Sequence, residues 1–181
     1  MYLFLVLIAI GTTHALDIVS RDEWGARPPT NVVPQSNPVP YVVIHHSVEP
    51  EVCYTKEDCI QAMQTMQDMH QIDNGWADIG YSFAVGGDGN AYEGRGWSAE
   101  GAHAPGYNSR SIGICVIGNW MEAVPSEKQL QTVHELIEYG VELGMISGSY
   151  GLIGHREATE TLCPGDLLFE EITTWPHFVQ V

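Results

Sequence analysis

Two histidines and one cysteine in this chain are donors of a kind that bind the same metal. His45 closes the run Tyr-Val-Val-Ile-His, and His155 and Cys163 lie in Gly-His-Arg-Glu-Ala-Thr-Glu-Thr-Leu-Cys-Pro-Gly. Imidazole and thiolate are the commonest zinc donors. Three protein ligands leave the fourth tetrahedral position open to water, which marks a catalytic rather than a structural zinc site. If the three meet in space, the chemistry is hydrolysis by a metal-activated water. Ligand types alone do not bring them together, and residues so far apart in sequence are also compatible with unrelated roles. Cys115, inside the apolar run 112–117, reads as a buried thiol, whereas a Cys115–Cys163 disulfide would remove the metal ligand. A decoy lies elsewhere: His134-Glu135-Leu136-Ile137-Glu138 imitates H-E-x-x-H but ends in Glu138, so it reads as a solvated helix face.

Donors of this kind need rigid mounts, and the hydrophobic pattern supplies candidates. Residues 41–45 form a continuous apolar, β-branched run that suits a buried central strand ending at a site. Residues 152–154 read as a short strand delivering His155, and 111–117 as another buried strand. Gly86-Gly87-Asp88-Gly89 between 81–85 and 90–93 is a hairpin signal, and 17–20 is a short strand-like piece. Prolines 28, 29, 34, 38 and 40 make the intervening loop extended. Helices are expected over 55–70, 126–143 and 167–174. Thr55 with Asp58 and Ser126 with Gln129 are capping-box signals, Gly144 ends the second helix, and Trp175-Pro176 stops the third. The stripe Ile60, Met63, Met66, Met69 has helical spacing and reads as core. Cys163 would then precede the last helix, whose N-terminus favours a thiolate, and His70 would end the first, where a positive imidazole is favoured. The fold class expected is α/β: one domain, with a central mixed sheet flanked by helices.

The chain has 181 residues, one domain by default. Twenty-three acidic residues against 7 basic give a net charge of −16, which argues against nucleic acid and anionic membranes as partners. The apolar run 1–10, followed by small residues at Thr13 and Ala15, reads as a secretory signal peptide over 1–15, with a short membrane anchor as the other reading. It is too short to span a bilayer. The domain is then 16–181, soluble and extracellular, and a monomer is expected. Four cysteines in that compartment suggest disulfides, and Cys53 and Cys59 are placed to staple a loop to a helix start.

From about residue 17 onward the chain resembles the peptidoglycan recognition proteins, which have the phage-type zinc amidase fold. The resemblance rests on Val-Ile-His-His-Ser at 43–47, Gly-Trp-Ala-Asp-Ile-Gly-Tyr-Ser-Phe at 75–83 and Gly-Asp-Gly-Asn-Ala-Tyr-Glu-Gly-Arg-Gly-Trp at 87–97. It continues through Gly-Ala-His-Ala-Pro-Gly-Tyr-Asn at 101–108, Ser-Ile-Gly-Ile at 111–114, Gly-His-Arg at 154–156, Thr-Leu-Cys-Pro-Gly at 161–165 and Thr-Trp-Pro-His-Phe at 174–178. It is most similar to short secreted, amidase-type insect members.

That resemblance implies zinc on His45, His155 and Cys163, a catalytic tyrosine at Tyr81, a polar partner at Thr161, and a Cys53–Cys59 disulfide. It implies an N-acetylmuramoyl-L-alanine amidase of innate immunity acting on peptidoglycan and muropeptides, with a non-catalytic recognition protein as the alternative. His70, His103 and Asn108 match substrate-groove positions. Gly75-Trp76 accompanies preference for diaminopimelate stems, with Arg110 near the loop that carries the carboxylate's cation in some members; a plain core aromatic is the other reading of Trp76. His46, pointing opposite to His45 in a strand, either lines the groove or supports the core. Arg95 either pairs with an acid or faces substrate, and His177 is read as structural.

Overall fold

A computed structural model describes residues 16–181, so the expected signal segment 1–15 lies outside the described residues. Six strands form one sheet: β1 (Ile18–Val19), β2 (Val39–His46), β3 (Phe83–Val85), β4 (Ala91–Glu93), β5 (Ser111–Val116) and β6 (Ile146–Gly154), in the order β1-β4-β3-β5-β2-β6. The hairpin pair β3–β4 is antiparallel and every other pairing is parallel, so the sheet is mixed. Four helices surround it: α1 (Lys56–Asp68), α2 (Glu127–Glu142), α3 (His155–Ala158) and α4 (Asp166–Thr173). The continuous apolar runs of β2 and β5 lie at the middle, because parallel strands covered on both faces have no solvent side to make polar.

Alternation along the strands divides the core. On one face α1 packs Ala62, Met63 and Met66 against Ala84, Tyr92, Cys115 and Ile117. On the other, Val133, Leu136 and Ile137 of α2 and Leu168 and Ile172 of α4 cover Val42, Ile44, Ile114 and Leu152. Met63 and Met66 are buried as the stripe predicted, each worth ~1.5–3 kcal/mol on transfer from water, so neither is a surface feature. Among the described residues no helix is long and apolar enough to cross a membrane.

The helix starts are where they were expected, with one difference in chemistry. Thr55 Oγ1 accepts from Asp58 N–H at 3.1 Å, and Ser126 Oγ from Gln129 N–H at 3.2 Å. The Gln129 side chain does not close a capping box. It is buried and donates instead to the carbonyls of Val85 and Ile117, tying α2 to two strand ends.

Two elements are longer than the sequence suggests. β6 spans Ile146–Gly154 rather than 152–154, because its Ser- and Gly-rich first half is an edge paired only with β2 and half exposed. After α1 the chain continues into a wide π-helical turn, Met69–Asp73.

Candidate metal centre

β2 and β6 lie side by side in parallel with Ile44 opposite Gly154. One residue further along each strand are His45 and His155, neighbours at the C-terminal edge of the sheet with ring centroids 4.4 Å apart. His45 also pairs with Cys115 of β5, whose side chain belongs to the α1 face, so the His45 ring lies on that face too.

Cys163 arrives from the loop before α4. Gly165 takes φ +95° and lies so close to Trp120 that a Cβ there would be 2.4 Å from the Trp120 carbonyl carbon. Leu167 N–H donates to the Trp120 carbonyl at 3.1 Å, pinning the loop down. His46 N–H then donates to Cys163 Sγ at 3.4 Å, and Sγ lies 3.7 Å from His45 Nδ1. Sequence reading missed Trp120; its only signal is the Gly118-Asn119-Trp120 turn directly after a buried strand.

The donor set fits zinc. Ligand atoms of His45, His155 and Cys163 all lie within 4.8 Å of one another. Tetrahedral zinc bonds of about 2.0–2.3 Å put N and S ligands roughly 3.6 Å apart, close to the 3.7 Å between His45 and Cys163. His155 Nε2 is buried without a hydrogen-bond partner among the described residues, an orphan that a cation would satisfy. The disulfide is Cys53–Cys59, and Cys115 and Cys163 are both free, so the competing Cys115–Cys163 pairing is not formed.

Burial dominates the electrostatics. Desolvation, helped by the neighbouring imidazoles, holds His45 well below its ordinary pKa, and desolvation lowers His155. Both rings are therefore neutral, as metal ligands must be. For Cys163 the expected helix-terminus effect loses. Burial pushes the thiol up to about 12 against the opposing influence of His46 N–H and Arg156, so a thiolate here requires a cation within the cluster.

Tyr81 stands beside the cluster, its ring centroid 5.2 Å from that of His45 and 5.6 Å from that of His70. Burial, then the thiols of Cys115 and Cys163, hold its phenol well above the usual value, so it stays a proton donor. Thr161 Oγ1 accepts Cys163 N–H at 3.3 Å, which leaves the Thr161 hydroxyl proton free to donate.

The π-helical turn rotates His70 inward. The expectation of a charged imidazole at a helix end is overturned. His70 is buried, desolvation and then Arg95 lower it to about 4, and Nδ1 accepts Gly80 N–H at 3.0 Å. The proton is thereby assigned to Nε2. Trp76 stacks on this ring at 4.7 Å and is 41% exposed, so it is a wall facing solvent, not a core aromatic. Gly75, at φ +69°, has open space where a side chain would be. His45, Tyr81, His70 and Trp76 thus form one continuous row of neighbouring rings, open to solvent at Trp76.

The remaining candidates lie deeper. His46 is buried, and its Nδ1 accepts Trp120 N–H at 3.4 Å, supporting the same turn that pins the cysteine loop. His103 is buried behind His45, not presented to a saccharide, and Asn108 Oδ1 is occupied by the N–H groups of His103 and Ala104, both at 2.8 Å. Arg95 donates to the carbonyls of Ile79 and Glu100, a structural role, and makes no salt bridge among the described residues. Arg110 stacks on Tyr107, 4.3 Å from the ring centroid. The His134 face is not simply solvated, since its ring packs 3.9 Å from Trp175.

Known proteins resemble this chain in sequence and fold. A family model described as N-acetylmuramoyl-L-alanine amidase matches residues 35–166, a segment holding all three donors. Peptidoglycan-recognition protein LB of Drosophila melanogaster is 50% identical over 164 residues, covering 91% of this chain and 71% of its own. The chain belongs to the peptidoglycan-recognition protein family. Among solved members of the family, wild-type Drosophila PGRP-LB superposes with a TM-score of 0.91 at 49% identity, over 92% of this chain and 98% of that one. Peptidoglycan recognition protein LE, in complex with tracheal cytotoxin, a monomeric diaminopimelic acid-type peptidoglycan, superposes with a TM-score of 0.89 at 43% identity, over 91% and 96%.

Proposed function

We propose that this protein is a secreted zinc amidase that binds peptidoglycan and hydrolyses the amide between the lactyl group of N-acetylmuramic acid and L-alanine. The observation that carries the reading is the convergence of His45, His155 and Cys163 within 4.8 Å beside Tyr81. The amidase family match and the likeness to a relative solved with a muropeptide support it. The apolar segment 1–10 and the Cys53–Cys59 disulfide support export.

His45, His155 and Cys163 would hold zinc, which when bound would supply Lewis acidity and lower the pKa of a water toward ~7. Tyr81 O–H donates to the carbonyl oxygen as that atom gains negative charge. Thr161 O–H orients the attacking water or the substrate. The water oxygen bonds to the carbonyl carbon as the C–N bond breaks, and the water's two protons pass to the departing nitrogen, so the lactyl group leaves as a carboxylate and the stem peptide as an ammonium, with no side-chain carboxylate needed as base. His70 Nε2–H and the Trp76 face hold the stem peptide, and the open space at Gly75 admits the larger third residue of a diaminopimelate stem. Removing the stem would destroy an immune elicitor, so damping of innate immune signalling is the role this reaction would serve, with direct killing of bacteria the other.

The test incubates zinc-loaded protein with diaminopimelate-type and lysine-type muropeptides and follows free stem peptide by mass spectrometry, with Cys163→Ser as control. Release favouring the first substrate and abolished by the substitution is expected. Binding without release, unchanged in the variant, would refute the amidase and leave a recognition protein.

A further inference from the structure

His103 is buried on the far side of His45 from Cys163. Its Nδ1 lies 2.9 Å from His45 Nε2, with the two rings nearly perpendicular at 82°. The other ring nitrogen, Nε2, lies 3.5 Å from Ser111 Oγ, and Ser111 Oγ donates to the Tyr107 carbonyl at 2.8 Å. Two glycines make the slot for this ring. A Cβ at Gly113, in the middle of β5, or at Gly101 would meet His103 Cδ2 at 2.4 Å. Asn108 fixes the backbone of the same residue.

Donor and acceptor roles in this chain run in one consistent direction. His45 presents Nδ1 toward Cys163, so that atom must keep its lone pair to act as a ligand, and Nε2 must carry the proton. His45 Nε2–H then donates to His103 Nδ1. That leaves the His103 proton on Nε2, directed at Ser111 Oγ, whose own proton is committed to the Tyr107 carbonyl. Every member has a partner.

We propose that His103 is a positioning residue for the metal: it holds His45 in the tautomer and ring orientation that aim Nδ1 at Cys163 and His155, and Ser111 holds His103 in turn. This rests on the zinc reading above. It assigns His103 to the metal ligand rather than to substrate contact, and it explains Gly113 within an otherwise apolar strand. Outer-sphere partners of histidine ligands commonly tune metal affinity ~10–100-fold.

Two substitutions that both fill the slot separate the roles. His103→Asn keeps a polar atom near the Nδ1 place and so reaches His45 but not Ser111. His103→Gln carries its polar atoms further out, reaching Ser111 but not His45. Zinc dissociation constants of the purified protein are read by competition with a chromogenic chelator, and the cobalt(II)-substituted protein by its visible ligand-field bands. His103→Asn is expected to bind zinc close to wild type with an unchanged cobalt spectrum. His103→Gln should bind on the order of 10–100-fold more weakly with altered bands. Equal zinc affinity in wild type and both variants, with muropeptide affinity falling instead, would overturn the proposal in favour of substrate contact. Equal weakening in both variants would also overturn it, since ring shape and not the hydrogen bond would matter. Failure of the wild type itself to bind zinc would refute the metal reading, an outcome distinct from either.

Discussion

His70 offers a direct test of whether the site is built from neutral imidazoles. Its unfolded pKa is the ordinary 6.5, and burial lowers the folded value to about 4. Between those values the unfolded chain binds a proton that the folded protein excludes, so stability is fully present above 6.5 and is lost as pH falls toward about 4. At pH 5 an unfolded His70 is about 97% protonated and a folded one about 9%, which costs about 2 kcal/mol of stability. With a urea m-value of about 2 kcal/mol per molar, the midpoint should fall by about 1 M from this group alone. The perturbation is His70→Asn, whose Oδ1 can still accept Gly80 N–H while the titration is gone. The substitution also removes the Trp76 stack and lowers stability at every pH, so the readout is the change between pH 7 and 5, measured by urea unfolding with chelator present. Wild type should lose about 2 kcal/mol more than the variant over that interval. His46, also lowered to about 4, titrates in both and cancels. Identical pH dependence in the two proteins would refute the neutral, desolvated His70 on which the proposed stem-binding surface depends.

Other expectations follow from the same geometry. Tyr81→Phe should lower kcat by on the order of 10²–10³ with zinc content unchanged, because it removes a donor to the developing oxyanion; unaltered kcat on soluble muropeptide would exclude that role. Cys163→Ser should abolish turnover and bound zinc, measured by elemental analysis, while muropeptide binding persists. Trp76→Ala should weaken a diaminopimelate-type muropeptide by roughly tenfold or more in titration calorimetry, as loss of a stacked aromatic anchor does; no change would mean the ligand does not lie on that wall. Replacing Cys53 and Cys59 together by Ala should lower unfolding free energy by about 2 kcal/mol, the loop-closure value for so short a loop, since the bridge spans a sequence separation of 6.

Most of the scaffold was legible because it follows from patterns with direct physical causes. Buried parallel strands leave continuous apolar runs, and β2 and β5 lie where those runs predict. The first half of β6 was not legible, because an edge strand with exposed serines needs no hydrophobic alternation and is held by backbone pairing to β2 alone. The π-helical turn Met69–Asp73 left no sequence signal either, yet it decides whether His70 faces solvent or is buried against Tyr81 and Trp76. Charge states were misread for one shared reason. Helix-terminus arguments predict an imidazolium at His70 and a thiolate at Cys163, but such effects are worth ~0.3–1 kcal/mol near a surface. Desolvation of a buried group is several times larger.

That same desolvation links fold to chemistry. The edge where β2 and β6 end side by side offers two histidines in one row, and the Gly165 loop presses a thiol against them. Packed without a cation, the cluster is all neutral: His45 and His155 are held unprotonated, Cys163 and Tyr81 protonated. Each state is the one a hydrolytic zinc site uses, except the thiol, which must lose its proton as the metal enters. Zinc uptake should therefore release about one proton from the Cys163 thiol, read at about pH 6 where a water of pKa ~7 keeps most of its own. Counting protons by titrating unbuffered protein with zinc separates this cluster from one in which Cys163 is already a thiolate beside neutral imidazoles, which would release none from its ligands, and from one whose two imidazoles are protonated beside a thiolate, which would release two.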